Sequence, residues 1–315
     1  MVAKILSNMD TMSNMDTIKI ANAPCSWGAL EFDLGAAAPD HLQVLQEIRE
    51  TGYVGTELGD WGFMPTEPAA LRAVVGGQGL DLIGAFVPVA LADEAAHEEG
   101  ITSALRVAGL LKDAGYPEAV IVLADDNGTV AERTSHAGRV SPNMGLDEAR
   151  WRAFARGAMA VAKAVRDRHG MRTVFHHHCA GYVETPEELD KLLSLTDPEL
   201  LGLCFDTGHY AFGGGDPLAG IAKYRDRIWH VHFKDYDPQV GKQSRKEEWD
   251  YFESVRQGVF CELGKGSVDF AGVLEVLKNT DYQGWIVVEQ DVLPGMGTPK
   301  VCARNNRIYL EHLGI

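Results

Sequence analysis

The segment TVFHHHCAG, residues 173–181, places three consecutive histidines at the end of a short apolar run. In an extended strand, alternate side chains face opposite sides, so His176 and His178 share one face and His177 faces the other. Two imidazoles side by side at a strand end are suited to binding a metal ion. The pattern leaves a second interpretation open, in which the histidines are only the polar end of a buried strand.

Carboxylate and imidazole side chains also follow four other apolar runs. These residues are Glu57 in GTELGDWG, Asp206 and His209 in CFDTGH, His230, His232 and Lys234 in HVHFKD, and Glu289 in IVVEQD. Mixed nitrogen and oxygen ligands without a thiolate suit Mn²⁺, Co²⁺, Fe²⁺ or Zn²⁺. The order of these groups on successive strands therefore predicts a divalent metal site.

Most of these residues also have a purely structural interpretation. Asp206 is of the type that caps a helix or a turn. His230 is equally consistent with a histidine satisfied within the core, and Lys234 with a solvated lysine. Glu289 is harder to explain in this way, because it follows four apolar residues and a buried carboxylate needs a partner or a metal ion.

The elements that would position these side chains are eight short apolar runs separated by longer amphipathic stretches. The runs are residues 18–24, 53–58, 80–87, 118–124, 171–177, 200–206, 227–233 and 284–290. Buried parallel strands have this composition, and strands that alternate with helices favour a (β/α)8 TIM barrel of the α/β class. A doubly wound open sheet is the alternative, but PCSWGAL after the first run lacks its glycine-rich turn.

Helix signals fall between the runs, and two connections are long. TPEELDKLLSL begins with a capping box at Thr185 and Glu188, and Asp269 is placed to cap the segment after it. The long connections, residues 125–145 and 235–267, each follow a strand and would lie over the carboxyl-terminal face of a barrel. Loops of that length in a compact domain are usually functional.

The composition of this 315-residue chain limits the kinds of partner it is expected to bind. Its net charge of −16 and pI of about 5.1 disfavour nucleic acid and anionic membranes. Five cysteines without CxxC spacing fit a reducing cytoplasm. A near-exact tandem repeat, SNMDTMSNMDT, places residues 1–17 in a disordered leader, so that a single domain would span residues 18–315. Association into a homo-oligomer is left open.

The segment GLCFDTGHYAFGGGDPLAGIAKYRDRIWHVHFKD, residues 202–235, resembles the xylose-isomerase-like TIM-barrel superfamily of sugar isomerases, epimerases and dehydratases. ANAPCSWG, GTELGDWGFMP, HHHCAGYVETPEEL and LGKGSVDF resemble the inosose dehydratase branch. The resemblance extends over nearly the whole chain from about residue 18.

The resemblance implies one divalent ion held by strands five to eight. Asp206, His232 and Glu289 match three ligands of the superfamily pattern. The fourth ligand is usually a glutamate, and here His176 stands in its place, with His178 as the alternative on the same face. An imidazole in place of a carboxylate moves the preference from Mg²⁺ toward Mn²⁺ or Co²⁺, while Zn²⁺, Fe²⁺ and Mg²⁺ remain candidates.

The resemblance also implies a small polyol or keto-sugar substrate and a reaction that begins by removing a proton beside a carbonyl. We expect dehydration of 2-keto-myo-inositol or an analogue, and the alternative is ketose isomerisation or epimerisation at the same metal site. The candidate catalytic residues are Glu57, His209 and Lys234. The candidate substrate-binding residues are Trp27, Trp61, Phe86, His178 and His230.

Two other classes are disfavoured. Metal-dependent phosphodiester cleavage, as in endonuclease IV with its similar barrel, would require basic loops facing DNA, which the charge of −16 opposes. A non-catalytic protein on an inherited barrel would have little use for this many ionisable groups at strand ends.

Overall fold

The structure is a computed structural model, and it describes residues 18–28, 39–280 and 282–315. The predicted leader at residues 1–17 lies outside the described residues. Within the described ranges, no helix is both long and apolar enough to cross a membrane.

Eight parallel strands close into a barrel, which confirms the TIM-barrel prediction over the open sheet. The barrel strands are β1 (Lys19–Asn22), β2 (Gly55–Glu57), β3 (Asp81–Val89), β4 (Val120–Asp125), β5 (Thr173–His176), β6 (Leu201–Asp206), β7 (Ile228–Phe233) and β10 (Trp285–Val288). Each strand pairs with the next along the chain, and β10 closes the barrel against β1, with Lys19 opposite Trp285 and Asn22 opposite Val288.

Helices surround the barrel and also cover its carboxyl-terminal face. They are α1 (His41–Glu50), α2 (Pro68–Gly77), α3 (His97–Asp113), α4 (Ala131–Ser135), α5 (Glu148–His169), α6 (Pro186–Leu195), α7 (Thr207–Phe212), α8 (Pro217–Tyr224), α9 (Pro238–Glu247), α10 (Tyr251–Arg256), α11 (Phe270–Asn279) and α12 (Pro299–His312). The capping box of α6 forms between Thr185 and Glu188, as predicted. Asp269 caps α11 by accepting from the Gly272 N–H.

Strand alternation divides the core into two layers. Ile121, Phe175 and Leu203 belong to the large cluster between the barrel and its helices. Val174 and Cys204 alternate with them and pack inside the barrel. Side chains two residues further along each strand point the same way, so they must also face the barrel interior, at its carboxyl-terminal end.

The two long connections fold over that end of the barrel. The connection after β7 contains a small antiparallel sheet of β8 (Asp235–Tyr236) and β9 (Phe260–Cys261), together with α9 and α10. Tyr251 and Phe260 pack with Ala137, which follows β4, and with Cys179, which follows β5. This second apolar cluster ties the loops to one another above the barrel.

A buried polar network joins the loop after β4 to the loop after β5. The Arg133 guanidinium is fully buried and donates to both carboxylate oxygens of Glu188, at 2.8 and 2.7 Å, and to the Gly181 carbonyl at 2.7 Å. The buried Glu184 carboxylate accepts from the Gly138 N–H at 2.7 Å and the Ala180 N–H at 3.0 Å. Burial raises the pKa of Glu184 to about 7.

This raised pKa predicts a specific pH dependence of stability. Between about pH 4.5 and 7 the folded state retains a proton on Glu184 that the unfolded chain has lost, so stability falls as the pH rises through this window. Glu184→Gln should remove that component, on the order of 3 kcal/mol, since each unit of pKa is worth about 1.36 kcal/mol. Urea unfolding of wild type and variant at pH 4.5 and pH 8 measures the difference.

The matched control is Glu187→Gln, at an exposed position on α6. Its free energy of unfolding should follow that of the wild type at both pH values. If Glu184→Gln also retains the full wild-type pH dependence, this assignment of the proton to Glu184 is wrong.

Candidate active site

The carboxyl-terminal ends of four strands, and the residue after a fifth, bring ionisable side chains together inside the barrel. They are Glu57 from β2, His176 from β5, Asp206 from β6, His230 and His232 from β7, and Glu289 directly after β10. The strand register sets this arrangement, since His176 lies opposite Cys204, and Asp206 lies opposite His232. All six side chains are buried.

His232 lies at the centre of the group. Its Nε2 is 3.1 Å from Glu57 Oε1, and its Nδ1 is 3.2 Å from Glu289 Oε1 and 3.9 Å from Asp206 Oδ2. The same Asp206 oxygen lies 3.6 Å from Nε2 of His176. One imidazole thus faces three carboxylates from three different strands.

The carboxylates of this group are held ionised. Burial raises the pKa of Glu57, but the charge of His232 and hydrogen bonds with His230 and His232 outweigh it and lower the pKa to about 2. Burial likewise opposes ionisation of Glu289, and the positive charges of His232 and Lys234 still leave its pKa well below the usual range. Burial opposes protonation of His232, but the carboxylates of Glu289 and Glu57 favour it, and the pKa of His232 lies well above its usual value. The site therefore attracts positive charge.

The donor atoms of the group fit a divalent metal ion. Among the described residues, Asp206 Oδ2, His232 Nδ1 and both ring nitrogens of His176 are buried without a hydrogen-bond partner. Asp206, His232 and Glu289 each offer a ligand atom within 4.8 Å of the others. Native structures rarely leave buried polar atoms unpaired, and a bound ion would satisfy the Asp206 and His232 atoms together with Nε2 of His176, the ring nitrogen that faces Asp206.

Two other sets of residues in the same region are weaker candidates. Cys204 lies near His176 and His232, but burial raises the pKa of its thiol to about 12, so it is not a thiolate at neutral pH. Glu57 and His230 already hydrogen-bond to each other at 2.7 Å. Nε2 of His232 also hydrogen-bonds Glu57, and Nδ1 of His232 faces Asp206 and Glu289. Metal-binding histidines commonly have one ring nitrogen hydrogen-bonded to a carboxylate in this way.

The three histidines of TVFHHHCAG have different surroundings. His176 faces Asp206, whereas Nδ1 of His178 is 2.5 Å from the Cys179 carbonyl and its Nε2 is 3.4 Å from the Tyr251 hydroxyl. His177 points outward, where Nε2 accepts from the Asp206 N–H at 3.1 Å, and burial lowers its pKa to about 3. The geometry therefore favours His176 over His178 as the metal ligand.

Lys234 directly follows β7 and is not among the residues that line the cavity. Its Nζ is 3.4 Å from Glu289 Oε2 and 3.0 Å from Asp291 Oδ2, and the side chain is almost fully buried. It therefore orients Glu289 and offsets negative charge, so it is not placed to reach a substrate. Asp291 was missed in the sequence analysis, although its position two residues after Glu289 places it on the same side of an extended chain.

His209 also lies behind the cavity wall. Its backbone N–H donates to Asp206 Oδ1 at 2.8 Å, so Asp206 caps α7 with one oxygen while the other faces His176. The structural and the functional interpretations of Asp206 are thus both supported. The His209 ring packs against that of His178 with centroids 3.8 Å apart, and its Nδ1 accepts from the Cys179 N–H. It supports His178 from behind.

A cavity of about 270 Å³ opens above the carboxylates, large enough for one sugar-sized ligand. Its lining combines strand-end residues with residues of the two long loops: Ala23, Pro24, Cys25, Glu57, Gly59, Asp60, Phe86, Pro88, Asp126, Asn127, Gly128, His176, His178, His232, Tyr251, Phe252 and Glu289. The loop contributors were not predicted, because nothing in the amino-acid pattern of a loop indicates which of its side chains turn inward.

Of the predicted substrate-binding residues, Phe86 and His178 line the cavity, and three others do not. Trp27 is buried in the core, where its Nε1 donates to Glu47 at 2.7 Å. Trp61 is 39% exposed and stacks beneath the Arg106 guanidinium at 4.2 Å. His230 lies below the cavity floor against Glu57. Neither tryptophan is therefore in place to wall a bound sugar.

Comparison with known proteins establishes the family. A model of the xylose isomerase-like TIM barrel family matches residues 45–303. The chain belongs to this family. It is 33% identical over 302 residues to an inosose dehydratase of Geobacillus kaustophilus (strain HTA426), with 95% of this chain and 96% of that protein covered. It is 36% identical over 295 residues to the rhizopine catabolism protein MocC of Rhizobium meliloti, with 93% and 87% covered.

Solved structures agree on the fold. The probable 3-DHS dehydratase AsbF of Bacillus anthracis superposes with a TM-score of 0.67 at 14% identity, covering 93% of this chain and 98% of that chain. An L-ribulose 3-epimerase gives a TM-score of 0.67 at 16% identity, with 94% of each chain covered. The predicted resemblance to this superfamily and its inosose dehydratase branch is confirmed, as is the prediction of an enzyme of that kind.

Metal binding provides a direct test of the carboxylate and imidazole group. The purified protein, stripped with EDTA, should bind one Mn²⁺ and gain thermal stability in its presence. Glu289→Gln should weaken Mn²⁺ binding at least about 100-fold, because it removes a charged ligand. Removing a residue that only hydrogen-bonds to a ligand typically weakens metal binding 10- to 100-fold. Titration of free Mn²⁺ by electron paramagnetic resonance gives both affinities.

The control for this titration is Glu311→Gln, an exposed residue of α12 far along the chain from the group. It makes the same chemical change and should bind Mn²⁺ as the wild type does. Equal affinity of Glu289→Gln and wild type would contradict the assignment of Glu289 as a ligand.

Proposed function

We propose that this protein is a metal-dependent dehydratase that removes water from 2-keto-myo-inositol or a close analogue. The observation that carries the proposal is the group of Asp206, His232 and Glu289 at the floor of a sugar-sized cavity. The 33% identity to an inosose dehydratase over 95% of the chain supports the choice of substrate.

The proposed ion is divalent and is held by His176, Asp206, His232 and Glu289. When bound, it would act as a Lewis acid on the substrate carbonyl and stabilise the negative charge that develops when a neighbouring proton leaves. Two imidazoles and two carboxylates suit Mn²⁺ or Co²⁺ better than Mg²⁺, which prefers an all-oxygen site.

Glu57 is placed to remove the proton. It lines the cavity beside the metal-binding group, and its pKa of about 2 keeps it ionised at neutral pH. The hydrogen bond of 2.7 Å to His230 fixes the Glu57 carboxylate and offers a route for the proton away from the cavity. His230 thus serves the reaction from below the floor and acts through Glu57.

His178 and Tyr251 are placed to assist the departing hydroxyl. Both line the cavity, and the His178 Nε2 and Tyr251 hydroxyl are 3.4 Å apart. Either group can donate a proton to an oxygen that leaves carbon. His209 packs behind the His178 ring and holds its orientation, while Lys234 holds Glu289. His209 and Lys234 are therefore positioning residues in this proposal.

The charge of the cavity favours a neutral substrate. Its lining includes the carboxylates of Glu57, Asp60, Asp126 and Glu289, and none of the described lining residues is Lys or Arg. A phosphate or carboxylate on a part of the substrate away from the proposed ion would be repelled by these carboxylates and would find no Lys or Arg among the described lining residues. Hydroxyl groups can instead donate to the carboxylate oxygens.

The proposed reaction is tested by proton NMR of the Mn²⁺-loaded protein with 2-keto-myo-inositol in D₂O. A dehydrated diketone should appear, with one molecule of water lost per turnover. Glu289→Gln, assayed at the same Mn²⁺ concentration, should form it far more slowly. Deuterium uptake at carbon without loss of water would instead identify an isomerase or epimerase. No reaction with any divalent ion would overturn this choice of substrate.

The role of Glu57 is tested by Glu57→Gln. This variant should keep its Mn²⁺, because the amide oxygen can still accept from His230 and His232, but kcat should fall about 10²- to 10⁴-fold. Exchange of the substrate proton beside the carbonyl for deuterium should slow in parallel. A variant that retains Mn²⁺ and turns over within a few-fold of the wild type would mean that another group removes the proton.

A further inference from the structure

The turn between α9 and α10 places two residues of the cavity wall. Tyr251 and Phe252 are the first two residues of α10, and both line the cavity. The turn begins at Glu248, whose φ of +56° lies in the left-handed region that residues other than glycine seldom adopt. The Glu248 N–H donates to the carbonyl of Ser244 in the last turn of α9. Such a backbone conformation persists only where surrounding contacts favour it.

Arg139, in the loop after β4, supplies contacts of this kind. Its Nη1 donates to the Trp249 carbonyl at 2.7 Å, and its Nη2 donates to the Glu248 carbonyl at 3.0 Å. The same Nη2 also donates to the Ser135 carbonyl within its own loop. Hydrogen bonds from a guanidinium are stronger than those between neutral groups, and its planar shape fixes the direction of each. One side chain thus joins the turn before α10 to the loop after β4.

The main chain beside Arg139 is itself held in place. The Gly138 N–H donates to the buried Glu184 carboxylate at 2.7 Å, which ties it to the loop after β5. Gly138 has a φ of +76°, and a Cβ atom built on it would lie 2.2 Å from the ring of Phe212 at the end of α7. The backbone therefore packs directly against that ring. Arg139 extends from a fixed part of the chain, so its hydrogen bonds restrain the turn before α10.

The position of α10 matters for the proton donors of the cavity. The Tyr251 hydroxyl lies 3.4 Å from Nε2 of His178, near the limit of a hydrogen bond, so a small movement of α10 would separate the two groups. Glu57, by contrast, is held at the end of β2 by His230 on β7. A displacement of α10 would therefore disturb the donors and leave the proposed base in place.

We infer that Arg139 is a positioning residue for the second half of the proposed reaction. This inference rests on the proposed function. After Glu57 has taken the proton beside the carbonyl, the C–O bond on the next carbon breaks and the electron pair of the enediolate forms a C=C bond. The departing hydroxyl takes a proton from Tyr251 or His178 and leaves as water. Arg139 is not among the described residues that line the cavity, so it acts through Tyr251 and favours loss of water over return of the proton.

The experiment follows Mn²⁺-loaded wild type, Arg139→Met and Arg139→Lys with 2-keto-myo-inositol in D₂O by proton NMR. Two rates are measured: formation of the dehydrated product, and uptake of deuterium beside the carbonyl of the remaining substrate. Arg139→Met should dehydrate the substrate about tenfold or more slowly, because misplacing a reacting group by about 1 Å is sufficient for a loss of that size. Deuterium uptake should stay within a few-fold of the wild type or rise. Arg139→Lys should lie between, because an ammonium lacks the planar fork that fixes two carbonyls at once.

Arg152→Met is the matched control, because it makes the same change at an exposed residue of α5. Both of its rates should equal those of the wild type. Mn²⁺ affinity, measured by electron paramagnetic resonance, provides a further readout. Arg139→Met should bind Mn²⁺ as the wild type does, because the proposed ligands lie at the ends of barrel strands and not on α10.

The outcomes separate this inference from the proposed function. If wild type dehydrates the substrate and Arg139→Met does so at the same rate, the proposed function stands and the role of Arg139 is overturned. A parallel fall in dehydration and deuterium uptake, or a loss of Mn²⁺ affinity, would mean that Arg139 supports the whole site, which also overturns the inference. If Arg139→Met does not fold, Arg139→Lys decides by the same comparison of rates. If wild type itself forms no dehydrated product, the proposed function fails and this inference fails with it.

Discussion

The concentration of buried negative charge around His232 is the constraint on which the rest of the site depends. Glu57, Asp206 and Glu289 approach one imidazole from the ends of three strands, and all three are almost fully buried. Isolated carboxylates in such surroundings would take up protons. Instead they remain ionised, because His232 and Lys234 supply positive charge. A divalent cation would meet the same demand.

The barrel stabilises this concentration of negative charge. Each carboxylate is anchored by a partner outside the cavity: Glu57 by His230, Asp206 by the start of α7, and Glu289 by Lys234. Lys234 follows β7, the neighbour of β10, and the start of α7 directly follows β6, whereas His230 on β7 reaches Glu57 on β2 from across the barrel. In Asp206 and Glu289, one oxygen is held by this partner and the other faces Nδ1 of His232. The chemistry of the floor therefore depends on rigid elements, as precise sites require.

The sequence predicted the strand-end residues that form the floor of the site more completely than the loop residues that form its walls. Glu57, His176, Asp206, His232 and Glu289 could be found because strand alternation and parallel order translate directly into a shared face and a shared end. Trp27 and Trp61 could not be excluded in the same way, since the direction of a loop side chain depends on contacts such as those with Glu47 and Arg106. Tyr251 and Arg139 were missed for the same reason.

The distinction between floor and walls bears on how far family membership can determine function. Within this fold, an epimerase and a dehydratase superpose equally well on the chain, at TM-scores of 0.67, so the barrel itself does not select the reaction. A floor that stabilises an enediolate serves both outcomes. Whether an enediolate loses a hydroxyl or regains a proton depends on which donors stand over it. In the proposed function those donors are His178 and Tyr251, which belong to the loops after β5 and β7. Under that proposal, the apolar cluster that joins these loops has a functional consequence, because it would fix the groups that decide between lyase and isomerase chemistry.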